Sequence, residues 1–203
     1  MPAKEFYPTI SLKDLQHKIA GGDETAFAQL YFQFAKKLLQ FAISLVRSKE
    51  ISEELVEDVF VKLWTGRQHI TGIENLNVYL YIAVKNTALN RLSKKAKELI
   101  SGPFDYLDLH VDEFAADPYD LMITSEMMAS LHQVIENLPP RCKMIFKLIR
   151  EDGLKYKEVG EILNISVNTI DAQMAIAVKK LCSALQLKNP RKFQHLPGEK
   201  KED

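Results

Sequence analysis

Only two cysteines, Cys142 and Cys182, occur in 203 residues, and they stand 40 positions apart. That separation excludes the close pairs of a zinc site or a redox dithiol, and it suits a reduced, cytoplasmic setting. Five histidines, His17, His69, His110, His132 and His195, are scattered without an i, i+4 pair. Walker loops, glycine fingerprints after a strand and nucleophile elbows are all missing. The sequence therefore reads as a non-enzyme with neither metal nor cofactor. The opening segment MPAKEFYPTI lacks the apolar core of a signal peptide, and the most apolar run, LLQFAISLV, is too short for a bilayer, so no membrane insertion is expected. Strand-length alternation and solenoid repeats are also lacking, which leaves an all-α protein.

Charge is absent in one place and abundant around it. Lys plus Arg and Asp plus Glu balance at 27 each, but residues 99–126 contain no Lys or Arg. Within them lie Asp105, Asp108, Asp112, Glu113, Asp117, Asp120 and Glu126. This stretch opens on Ser101-Gly102-Pro103, a helix-breaking triplet. The expected organisation is two small helical domains, residues 12–98 and 126–187, joined by an acidic linker over 99–125 and followed by a loose polar tail over 188–203. The linker's charge suits a path along basic surfaces.

After a short leader, residues 23–46 repeat apolar side chains at helical spacing with no proline or glycine. A second helix is expected over 52–64, with Ser52 as its N-cap, and a loop holding Gly66 and Gly72 follows. A third, long helix is expected over 77–98. In the second domain the pattern gives helices over 125–137, from Pro139 or Pro140 to Arg150, over 155–163, and from Val167 to about Leu185.

The segment EVGEILNISVNTI reads as a helix, a turn at Asn164-Ile165, and a new helix capped by Ser166. On a wheel from Val167, Ile170, Met174, Ala177, Val178 and Leu181 form a stripe for a core. Asn168, Ala172, Ala175, Ile176 and Lys179 then face outward. Small side chains and an amide suit a helix that approaches base edges in a major groove, although two packed helices in a larger core would share the pattern.

The first domain offers two further surfaces. In the helix from Ser52, the expected core stripe is Leu55, Val56, Val59, Phe60 and Leu63, with Trp64 at its edge. Glu53, Glu54, Glu57 and Asp58 fill the other side, with Val61 among them. This is either a docking face for a basic partner or an acidic first turn favoured by the helix dipole. In the long helix, Val78, Ile82, Leu89, Leu92 and Ala96 are expected to share one face. Tyr79, Asn86, Thr87, Asn90, Lys94 and Lys97 line another, which suits a melted strand: a ring to stack on bases, amides for base edges, ammonium groups for phosphates. A plain solvated helix is the competing reading.

Beyond these local readings, LPPRCKMIFKL, EDGLKYKEVGEILNISVNTI and AVKKL together resemble region four of bacterial sigma factors, especially the extracytoplasmic-function (ECF) group of the sigma-70 family. Leu138-Pro139, Tyr156 and Ser166-x-x-Thr169-Ile170 stand where that pattern has its marker residues. SEELVEDVFVKLW resembles region 2.2, and NVYLYIAVKNTALNRLSKK resembles regions 2.3 and 2.4. The resemblance implies a factor that binds core RNA polymerase, recognises promoter DNA and helps to melt it. It implies polymerase docking by Glu53, Glu54, Glu57, Asp58, Val61 and Trp64. It implies minus-ten contacts, on the melted strand, from Tyr79, Asn86, Thr87, Asn90, Arg91, Lys94, Lys95 and Lys97. Minus-thirty-five contacts, on the duplex, are implied for Tyr156, Lys157, Ser166, Asn168, Thr169, Asp171, Ala172, Gln173 and Ile176. Residues 69–76 resemble a loop that captures a flipped base, and an anti-sigma factor is a further partner of many such proteins.

Departures from the pattern matter. Glu57 stands where the family commonly has Gln, and Ser93 where it often has Arg, so Arg91, Lys94 and Lys95 would supply the phosphate contacts. Asp171, Gln173 and Ile176 occupy positions that are often Arg, which predicts weak duplex binding by the second domain alone. The rival readings are a stand-alone helix-turn-helix regulator, which would bind duplex DNA as a symmetric dimer, and a helical protein-binding adaptor.

Overall fold

The computed structural model describes residues 11–91 and 126–184, which form two compact units. Every regular element among them is helical. The acidic linker, the tail, and Lys94, Lys95 and Lys97 lie outside the described residues.

Unit one begins with a helix where the sequence reading placed only a leader. Helix α1 spans Leu12–Ala20, and its N-cap, Ser11, accepts from the Asp14 amide at 3.2 Å. Leu15, Gln16 and Ile19 are its buried positions. Helix α2, Glu24–Val46, is capped by Asp23, whose carboxylate accepts from the Ala26 amide at 3.0 Å. Its buried stripe runs Ala26, Leu30, Phe34, Leu38, Phe41 and Ala42. Helix α3 spans Lys49–Thr65, followed by a 3-10 helix, Arg67–Gly72, where a loop was expected. Helix α4 is described over Leu76–Arg91.

Two expectations in this unit are corrected. Ser48 caps α3, accepting from the Ile51 amide at 3.3 Å, whereas Ser52 is buried in the first turns and donates its hydroxyl to the Ser48 carbonyl at 2.6 Å. A serine inside a helix spends its hydroxyl on the carbonyl four residues back and cannot serve the helix end. On α4 the buried positions are Leu76, Val78, Leu80, Tyr81, Val84 and Ala88; Ile82 and Leu89, assigned to the core face, are only half-buried. Helix α4 packs against both α2 and α3, so burial wraps more of its circumference than one amphipathic stripe. The Phe41 and Tyr81 rings meet edge-on at 5.2 Å across the α2–α4 contact.

Unit two contains α5 (Glu126–Glu136), α6 (Pro140–Arg150), α7 (Tyr156–Leu163) and α8 (Val167–Ala184). Pro140 occupies the first turn of α6, where its missing N–H breaks no helical bond. Lys143 and Lys147 of α6 reach the Glu136 carboxylate at 3.1 and 2.7 Å and tie α5 to α6. Burial would raise the Glu136 carboxyl, but the bonds and charges of Lys147 and Lys143 outweigh it and hold it below the usual carboxylate value. Burial pushes the Cys142 thiol up, and its Sγ donates to the Gln173 carbonyl at 3.2 Å, which marks a structural rather than a reactive thiol.

Candidate functional site

The turn between α7 and α8 is built from three local choices. Asn164 adopts the left-handed conformation (φ 56°, ψ 47°), which asparagine tolerates better than most residues. The Ile165 amide then donates to the Gly160 carbonyl at 3.1 Å. Gly160 is buried at the crossing: a Cβ there would lie 3.0 Å from the Ile165 carbonyl oxygen and 3.6 Å from Ile170 Cδ1. The absence of a side chain at position 160 keeps this close approach free of crowding.

Ser166 caps α8, its Oγ accepting from the Thr169 amide at 3.1 Å and sharing a hydrogen with Thr169 Oγ1 at 2.8 Å. Both hydroxyls are thus occupied in forming the helix end. Ile170, Met174, Ala177, Leu181 and Cys182 are buried, while Val178 is half-buried. Asn168, Asp171, Ala172, Ala175, Ile176 and Lys179 are exposed, as are Lys157 and Ser166; Tyr156, Thr169 and Gln173 are half-buried. Glu158 closes the start of α7 by accepting from the Lys155 amide at 2.8 Å.

On α3 the expected stripe, Leu55, Val56, Val59, Phe60 and Leu63, is buried, and Glu53, Glu54, Glu57 and Asp58 all face out. Val61, 63% exposed, adds an apolar spot to four carboxylates. Trp64 is half-buried, its ring 4.9 Å from Phe27 and beneath the Arg67 guanidinium at 4.8 Å. It is anchored in the α2–α3 packing.

Along α4, Tyr79 (43% exposed), Asn86 and Asn90 share one outward stripe. From Tyr79 to Asn90 the stripe runs about 16 Å, at a rise of ~1.5 Å per residue. Thr87 is half-buried and donates its hydroxyl to the Ala83 carbonyl at 2.8 Å. Arg91 forms an ion pair with Glu54, so the α4 stripe and the acidic face of α3 meet at their edges. Both side chains are exposed, and such a pair contributes at most about 1 kcal/mol.

Three features escaped the sequence reading. The buried Gln16 amide donates to the carbonyls of Ile70 at 2.7 Å and Ile73 at 2.9 Å, and so fixes the 3-10 helix and the loop leading to α4. Phe32 is 80% exposed and joins Tyr31 and Phe60 in a run of edge-on rings. Its position off the α2 stripe was visible on a helical wheel. The third is Gly160, whose neighbours are set by the fold. Among the described residues, no group of three His, Cys, Asp or Glu side chains could hold a metal, and no helix is long and apolar enough to cross a membrane.

Comparison with known proteins agrees with this layout. Residues 30–98 match the family model "Sigma-70 region 2" and residues 128–181 match "Sigma-70, region 4". The RNA polymerase sigma-H factor of Pseudomonas aeruginosa is 22% identical over 180 residues, covering 86% of this chain and 93% of that protein. The ECF RNA polymerase sigma-E factor of Escherichia coli K12 is 24% identical over 178 residues, covering 85% and 93%. Among solved structures, the sigma factor RpoE in complex with the anti-sigma factor NepR from Bartonella quintana matches with a TM-score of 0.54 at 21% identity, covering 80% of this chain and 98% of that one. With both sigma-70 models matched in order and its relatives aligned over nearly their whole length, this chain belongs to the ECF group of the sigma-70 family of RNA polymerase sigma factors.

Proposed function

We propose that this sigma factor works through three surfaces: the acidic face of α3 for core RNA polymerase, the outward stripe of α4 for the melted minus-ten strand, and the start of α8 for the minus-thirty-five duplex. The observation that carries this reading is the exposure of Tyr79, Asn86 and Asn90 along one side of a helix packed by two neighbours on its other sides. Glu53, Glu54, Glu57, Asp58 and Val61 meet a basic partner with an apolar contact, and Trp64 stiffens the end of that face. Tyr79 stacks on an unpaired base, Asn86 and Asn90 bond to base edges, and Arg91 takes a phosphate once it leaves Glu54. Lys94, Lys95 and Lys97 extend the phosphate contacts. In unit two, Asn168, Asp171, Ala172, Gln173 and Ile176 face the groove; Tyr156, Lys157, Ser166 and Thr169 position the helix on the backbone.

The chemistry belongs to the polymerase, and the chain contributes binding and strand capture in the cytoplasm. An anti-sigma factor is a fitting inhibitor, as one is seen with the Bartonella quintana relative.

Potassium permanganate, which oxidises unpaired thymines, tests the α4 assignment. With Asn86→Ala and Asn90→Ala combined, about 1–3 kcal/mol of hydrogen bonding to the captured strand is lost. Reactivity in the promoter bubble is expected to fall about tenfold or more, with assembly onto core polymerase retained. Undiminished reactivity would make these amides ordinary surface residues.

A further inference from the structure

The exposed face of α8 is unusual in what it can say to a base pair. From its cap at Ser166 it presents Val167, Asn168, Asp171, Ala172, Ala175 and Ile176 before its first cation, Lys179. Guanine is read mainly by arginine or lysine on its O6 and N7, and the first three turns hold neither. Alanine and isoleucine match a different feature, the 5-methyl group of thymine, the one apolar projection in the major groove.

Position supports the match. Asn168, Ala172 and Ile176 lie one turn apart in register, and Ile176 is 41% exposed although it is a large aliphatic residue. Two neighbouring alanines, Ala172 and Ala175, let the helix approach closely. Beyond Ile176, Lys179 and Lys180 border the same open depression, together with Ser183 and Ala184. An apolar side chain held between an amide and two ammonium groups fits a base edge flanked by phosphates. Asn168 and Ile176 are about 12 Å apart along the helix. That corresponds to three to four base steps of about 3.4 Å for a helix lying along the groove.

We infer that Ile176, helped by Ala172, is a specificity-determining residue that reads a thymine methyl group in the minus-thirty-five element. The inference rests on the reading that unit two sits on upstream duplex DNA.

Holoenzyme assembled from the full chain and core polymerase would first select its upstream element from a randomised duplex. Each thymine of the selected element is then replaced by deoxyuridine, which lacks only the methyl group, and binding is measured by competition. For the wild type, one such replacement is expected to weaken binding about fivefold, the order for uncovering one methyl group. Ile176→Ala should weaken binding to the thymine duplex similarly and be indifferent to the same replacement. If no deoxyuridine replacement affects the wild type, or Ile176→Ala keeps the full sensitivity at every thymine, the inference is overturned. It is equally overturned if Ile176→Ala loses core polymerase instead of upstream DNA, because Ile176 would then be a protein contact. Failure to select any upstream sequence would instead overturn the duplex-reading role of unit two, on which the inference stands.

Discussion

Gly160→Val should unfold the helix-turn-helix selectively. The first atom of any side chain at this position already lies 3.0 Å from the Ile165 carbonyl and 3.6 Å from Ile170 Cδ1. The carbonyl is backbone of the turn and can give way only if the Ile165–Ser166 peptide moves with it. Valine adds two methyl groups in the same space, and overpacking of this kind costs about 1–3 kcal/mol or more. Alanine is the informative control: its higher helix propensity, about 1 kcal/mol over glycine, offsets part of the crowding. Hydrogen exchange on the full chain should show amides of α7 and α8 losing protection in Gly160→Val, with α2–α4 unchanged and Gly160→Ala intermediate. A valine variant as protected as the wild type would mean that the two helices tolerate a wider crossing than the structure has.

Gln16→Leu should loosen the loop ahead of the minus-ten helix. Its amide supplies one buried bond to the Ile70 carbonyl and a second, partly buried, to Ile73, from a helix more than fifty residues away in sequence. Leucine keeps the bulk but takes the donor from the partly buried Ile73 carbonyl and leaves the Ile70 carbonyl only the Ile73 amide, at about 1–3 kcal/mol in all. For a domain of this size a loss of about 2 kcal/mol lowers the melting midpoint by roughly 8–16 °C. Gln16→Glu should be worse near neutral pH, because a carboxylate would face two carbonyl oxygens. The Ile73 amide, bonded to the Ile70 carbonyl at 3.1 Å, should exchange faster in both variants. A leucine variant that melts with the wild type would show that water replaces the amide.

Where one helix face is buried, the sequence alone was enough to read it. The Ser166 cap, the Asn164 turn and the α8 stripe are local features, written in spacing and residue type; the structure bears out the cap and the turn, and the stripe except at Val178, which is half-buried while Cys182, left out of it, is buried. The α3 stripe was legible for the same reason, but its start was not, because Ser48 and Ser52 are both plausible caps and only burial separates them. Helix α4 defeated the wheel: two neighbours cover it, so apolar residues surround much of it and period alone cannot say which are innermost. Helix α1 is short and mostly polar, and its reason for existing is the distant loop it holds. The Arg91–Glu54 pair joins residues 37 apart, a separation that no local pattern encodes.

The acidic face of α3 is the proposed contact with core RNA polymerase. Size-exclusion chromatography of the purified chain with sigma-free core enzyme, with and without Glu57→Lys and Asp58→Lys combined, tests it most directly. The wild type is expected to co-elute and the double variant to separate. Both carboxylates are exposed, so the variant should keep the wild-type melting temperature. A folded wild type that fails to co-elute, or a double variant that co-elutes as well as the wild type, would contradict it.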